Sequence, residues 1–62
     1  MYQNLFITRR ESHMTQDDTA RLVNISKQSY YLKEKRKRDF SLNEAKILAK
    51  HFKTTVDDLF EK

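Results

Sequence analysis

The stretch TQDDTARLVNISKQSYYLKE, residues 15–34, reads as two helices with a tight turn between them. Thr15 is a good helix N-cap because its side-chain oxygen can accept a backbone N–H of the first turn. Asp17 and Asp18 follow where the helix dipole favours negative charge. Ala20, Leu22 and Val23 supply a buried side to a helix that ends near Val23. At Asn24 the chain must turn sharply without glycine, and asparagine tolerates a left-handed backbone better than most non-glycine residues. Ser26 then caps a second helix that runs to about Glu34. Two helices joined by about three residues around Asn24 and Ile25 are set at a steep angle to each other.

The flanks extend the helical pattern in both directions. Upstream, Tyr2, Leu5 and Phe6 stand at helical spacing with Arg9 one turn after Leu5, which predicts a helix from about Tyr2 to about Ser12 with Ile7 off its stripe. Downstream, Ser41 and Glu44 have capping-box spacing, and Leu42, Ala45, Leu48, Ala49 and Phe52 follow on one face, the clearest amphipathic pattern in the chain. Thr55 with Asp58 caps a last short helix anchored by Val56, Leu59 and Phe60. The sequence has no glycine and no proline, so helices joined by short turns of Asn, Ser, Asp and Thr are expected throughout. The predicted fold is all-α, a compact five-helix bundle, with no repeat, linker or low-complexity tract.

Sixty-two residues suffice for a single domain spanning 1–62, but a domain of this size cannot enclose both a core and a deep substrate cavity. That argues against an enzyme. The absence of cysteine excludes a disulfide framework and a Cys-based zinc site, so packing, capping and oligomerisation must supply the stability. Apolar runs are only a few residues long, shorter than a signal peptide or a membrane span requires, and a cytoplasmic location is expected. The net charge of +4 is local: Lys27, Lys33, Lys35, Arg36, Lys37 and Arg38 against Glu34 give that one segment +5. Such a patch suits phosphates, whereas an isolated basic run can equally be a solvated loop.

Gln16, Ala20 and Asn24, followed by Ile25 and Ser26, resemble the signature of the Cro/CI-type (XRE-like) helix-turn-helix repressors of phages and bacteria. Arg9 late in the first helix, Glu34 ending the third, Ser41-Leu42, the periodic fourth helix and the ending Thr55-Val56-Asp57-Asp58-Leu59-Phe60 extend the resemblance over nearly the whole chain. It implies a lambda-repressor-like DNA-binding domain. The chain departs from the pattern at Asn24 and Arg36, where the family usually has glycine, and at Phe40, where it often has proline. Tyr30 and Lys33 stand where the third helix usually turns aliphatic residues to the core. Tyr30 is expected to bury its ring and keep its hydroxyl wet, and Lys33 to lay its stem on the core and send its ammonium outward. A third helix that is rotated or ends early is the alternative.

The resemblance implies a sequence-specific double-stranded DNA-binding regulator, a repressor that binds a palindromic operator as a homodimer. It places the base-reading positions at Lys27, Gln28 and Leu32, with Ser29 and Tyr31 at the edge of reach. Their chemistry fits base edges, since Gln28 can pair with adenine, Lys27 can donate to guanine, and Leu32 can pack on a thymine methyl. Thr15, Gln16 and Ser26 sit at helix starts suited to phosphate, and Lys35, Arg36, Lys37 and Arg38 can grip the flanking backbone, with Arg10 a further candidate. Arg9 and Glu34 are expected to form a structural ion pair, as the matching residues do in the family. A dimer would use the fourth and fifth helices or the tail, through Phe52, Val56 or Phe60.

His13 and His51 have no third ligand nearby, so no metal is expected, and Asp57 and Asp58 are explained by their helix start. No cofactor, membrane contact or small-molecule ligand is implied, and the expected location is the cytoplasm, on the nucleoid. A protein-interaction module of antitoxin or antirepressor type on the same scaffold is the rival reading.

Overall fold

A computed structural model describes residues 1–61. Five helices follow in the order α1 (Gln3–Glu11), α2 (Gln16–Leu22), α3 (Lys27–Glu34), α4 (Leu42–His51) and α5 (Val56–Leu59), and the described residues contain no strand. None of these helices is long and apolar enough to cross a membrane. The helix starts are built from side chains. Thr15 with Asp18 and Ser41 with Glu44 form complete capping boxes, while Ser26 and Thr55 each accept one backbone N–H, from Ser29 and Asp58 respectively. α1 begins one residue later than the sequence suggests. The Tyr2 N–H donates to the Glu34 carbonyl at 3.0 Å, which holds Tyr2 extended, and Ser12 is the C-cap rather than the last helical residue.

The helix ends resolve the absence of glycine. His13, Asn24, Arg36 and Lys53 all have positive φ, between 57° and 65°. Each stands one position beyond a helix C-cap, and each is bracketed by the same two bonds. After α3, for example, the Arg36 N–H donates to the Lys33 carbonyl at 3.0 Å and the Lys37 N–H to the Leu32 carbonyl at 2.9 Å. These are Schellman turns, which favour glycine because a Cβ crowds the left-handed backbone. Here four non-glycine residues occupy them.

The core draws on every helix: Leu5, Ala20, Val23, Tyr30, Leu48, Ala49 and Leu59 are buried and in contact. Thr19, which apolar periodicity overlooks, is also fully buried, and its hydroxyl donates to the Thr15 carbonyl at 3.0 Å. A second layer of aromatic rings closes one side. The Phe40 ring lies 5.9 Å from Tyr2, 5.9 Å from Tyr30 and 5.2 Å from Phe60, in tilted and edge-on contacts. Phe40 therefore anchors the α3–α4 loop.

One expectation about α4 needs correction. Leu42 is 65% exposed, because as the first helical residue it lies beyond the edge of the core that Ala45, Leu48 and Ala49 meet. Phe52, the C-cap, is half-buried and packs against that core.

Candidate nucleic-acid interface

α3 is divided cleanly into two faces. Tyr30 and Glu34, one turn apart, are completely buried, and Lys27, Gln28, Tyr31 and Lys35 are exposed on the other side, with Ser29 and Leu32 between. The helix is neither rotated nor cut short. Two corrections follow for its inward side. The Tyr30 hydroxyl is not wet: it donates to Glu34 Oε2 at 2.6 Å. The Lys33 ammonium does not reach outward but pairs with Glu44 Oε1 at 2.7 Å, 5.9 Å from the Phe40 ring centre. The Tyr30 hydroxyl is satisfied within the core, and the Lys33 ammonium in a partly exposed pair at its edge.

The orientation of α3 is set by one carboxylate. Glu34 Oε2 accepts from Arg9 Nε at 2.9 Å and from Tyr30, while Oε1 accepts from Arg9 Nη2 at 3.2 Å and from Gln16 Nε2 at 3.2 Å. Arg9 Nη1 continues to the Met14 carbonyl at 3.0 Å. Side chains from α1, α2 and α3 thus meet on Glu34, whose own side chain is 1% exposed. Among the described residues no buried side-chain polar atom lacks a partner. A buried charge is tolerable only when its hydrogen-bonding capacity is met in this way.

Burial works to raise the Glu34 carboxyl, but the bonds from Arg9, Tyr30 and Gln16 outweigh it and hold its pKa below the ordinary value of 4.5. Burial likewise pulls against Glu44, and its bonds from Lys33 and Ser41 hold it low. Burial, and then the bond to Glu34, push the Tyr30 phenol far above its usual range. A carboxylate with a depressed folded pKa gives stability that is present above the unfolded pKa and lost as pH falls through the folded one. Unfolding free energies measured by denaturant titration should therefore be nearly flat from pH 7 to 5 and drop steadily below about pH 4.5. Glu44→Gln should make that drop shallower. A gain in stability on acidification would mean that burial, not bonding, governs these carboxylates.

At the start of α2, the Thr15 hydroxyl and N–H are engaged with Asp18 in the capping box, which also holds the Asp18 carboxyl low. Gln16 turns one amide N–H inward to Glu34, leaving its second N–H and its carbonyl oxygen to other partners. The Ser26 hydroxyl accepts from Ser29 at the start of α3. Lys35, Arg36, Lys37 and Arg38 are all exposed, and the left-handed Arg36 sets its guanidinium 4.9 Å from the centre of the Tyr2 ring. Lys35 Nζ lies 5.7 Å from the Tyr31 ring centre. Exposed Arg10 stacks on Phe6 at 5.4 Å.

Sequence reasoning missed three parts of this arrangement: Gln16 and Tyr30 as partners of Glu34, the Lys33–Glu44 pair, and Tyr2 as the support of Arg36. Only the i,i+4 spacing of Tyr30 and Glu34 could have signalled one of them.

Comparison with known proteins gives one match. A family model described as helix-turn-helix matches residues 7–59. No curated protein and no solved structure matches the chain.

Proposed function

The chain belongs to the helix-turn-helix family of Cro/CI (XRE-like) type, a family of DNA-binding regulators, and from this we propose that it is a repressor that binds a palindromic operator as a homodimer. The observation that carries this reading is the division of α3 into a face locked by Glu34 and Tyr30 and a face of exposed polar and basic side chains. A helix fits the major groove, where side chains near its N-terminus meet base edges. Lys27, at the first position of α3, and Gln28, at the second, take the base-reading role, with Leu32, Ser29 and Tyr31 further along the groove. Phosphates are held by Lys35, Arg36, Lys37 and Arg38 beyond the helix, by Thr15, Gln16 and Ser26 at the helix starts, and by Arg10.

A monomer of this size reads few base pairs, and a two-fold dimer doubles the site. The surface that supports a dimer is an apolar groove of about 350 Å³ whose lining includes Phe40, Leu42, Val56 and Phe60. Exposed Leu42 forms part of that lining. The protein would act in the cytoplasm, on the nucleoid, without enzymatic activity.

The test starts with selection of duplexes from a random-sequence pool, which should enrich two inverted half-sites. Lys27→Ala or Gln28→Ala should then weaken binding to the enriched duplex by about 1–3 kcal/mol and leave scrambled duplexes nearly unaffected. Equal losses on both would remove these residues from base reading. Arg36→Ala with Lys37→Ala should weaken all duplexes alike and lower the salt slope by about one unit for each phosphate no longer neutralised. Failure to enrich any duplex would turn the reading toward a protein partner.

A further inference from the structure

The exposed face of α3 carries one large aromatic ring. Tyr31 is 42% exposed, although Tyr30 beside it is completely buried. Lys35 Nζ, one turn on, lies 5.7 Å from the ring centre, over one face of the ring, an attraction that favours this rotamer of Tyr31. Gln28 precedes Tyr31 by three residues and shares its side of the helix. Leu32, the other apolar side chain near this surface, is half-buried.

An aromatic ring held out to solvent beside amide and ammonium groups has little to gain from water. The major groove offers it one apolar feature on a base edge, the C5-methyl group of thymine.

We propose that Tyr31 is a specificity-determining residue that reads a pyrimidine C5-methyl group in the operator, with Lys35 as the positioning residue that holds its ring. The proposal rests on α3 being the helix that enters the major groove. It names a chemistry that thymine and 5-methylcytosine share and that cytosine and uracil lack.

The test uses the duplex enriched by the wild-type protein, with each thymine replaced in turn by deoxyuridine, which removes only the methyl group. At one position in each half-site, the wild-type protein should bind the uracil duplex about four-fold more weakly, the effect of burying one methyl group. Tyr31→Ala should bind the thymine and uracil duplexes alike, while Tyr31→Phe, which keeps the ring, should retain the four-fold preference. Lys35→Met should bring the ratio toward one with an unchanged unfolding midpoint. With cytosine at the sensitive position, methylation at C5 should strengthen wild-type binding about four-fold and leave Tyr31→Ala unchanged.

The proposal is overturned if no thymine is sensitive or if the methyl effect persists in Tyr31→Ala. If no duplex is enriched, the DNA-binding reading falls and this inference falls with it.

Discussion

Glu34→Ala is expected to leave the protein largely unfolded at physiological temperature. At 0.05–0.15 kcal/mol per residue, a chain of this length has a total stability of roughly 3–9 kcal/mol. Removing one partner of a buried, hydrogen-bonded pair costs about 3–5 kcal/mol, because the other charge is left stranded. Here the loss strands more than one group: the Arg9 guanidinium, the Tyr30 hydroxyl and one Gln16 N–H all donate to that carboxylate. Arg9→Ala should be comparably damaging, since it leaves the Glu34 carboxylate with a side-chain exposure of 1% and no cation beside it. The double variant should lose less than the two single losses added together, because the second substitution removes the stranded charge.

Denaturant titration of the four proteins gives the coupling energy directly. Where Glu34→Ala is too unstable to measure, Glu34→Gln keeps one acceptor oxygen and supplies the cycle at smaller amplitude. Strict additivity would show that the pair does not act as a unit. DNA binding should fall in parallel with folding, since the same carboxylate orients α3 against α1 and α2.

Glycine at the left-handed positions should act in the opposite direction and raise stability. A non-glycine residue in this conformation carries a cost of about 1–2 kcal/mol, and a glycine there carries a larger unfolded-state entropy that offsets part of the gain. His13→Gly and Lys53→Gly, both at exposed residues, should each stabilise the protein by about 1 kcal/mol, and together by about twice that. For a domain of this size each kcal/mol corresponds to a rise in Tm of about 4–8 °C. Asn24→Gly should gain only a few tenths of a kcal/mol, because asparagine already tolerates the geometry.

Arg36→Gly separates two roles. It should stabilise the backbone after α3 while weakening DNA binding, since it removes both the charge and the stack on Tyr2. Thermal unfolding and binding measured on the same preparation would reveal opposite shifts. A fall in Tm for His13→Gly or Lys53→Gly would mean that those side chains contribute more through their contacts than their backbones lose through strain.

Five helices, and the short separation between α2 and α3, were legible in the residues alone. These features are local. A Ser or Thr cap acts within three residues, apolar spacing shows which side of a helix turns inward, and Asn24 marks a turn that Asn favours. Arg9 and Glu34, 25 positions apart, could be matched only through the resemblance to a family, and in the structure they lie 2.9 Å from each other. The basic run was visible for the same local reason as the caps, since charge is written in the residues themselves, whereas Lys27 and Gln28 were picked out by the resemblance.

What remained came from the packing of the helices. Tyr30 and Lys33 looked ill-suited to an inward face until Glu34 and Glu44 stood opposite them. Tyr30 finds Glu34 one turn along its own helix, but the groups that make Glu34 and Lys33 acceptable there, Arg9, Gln16 and Glu44, come from other helices, and no spacing rule predicts those. Leu42 shows the converse. Its register on α4 is apolar, yet it is exposed because the core ends before it does. Arg36 and Lys53 carry no preference for positive φ, and they adopt it because helix packing requires the chain to reverse there. Local chemistry chose the helices, whereas long-range satisfaction of charge and the edges of the core chose how they face one another.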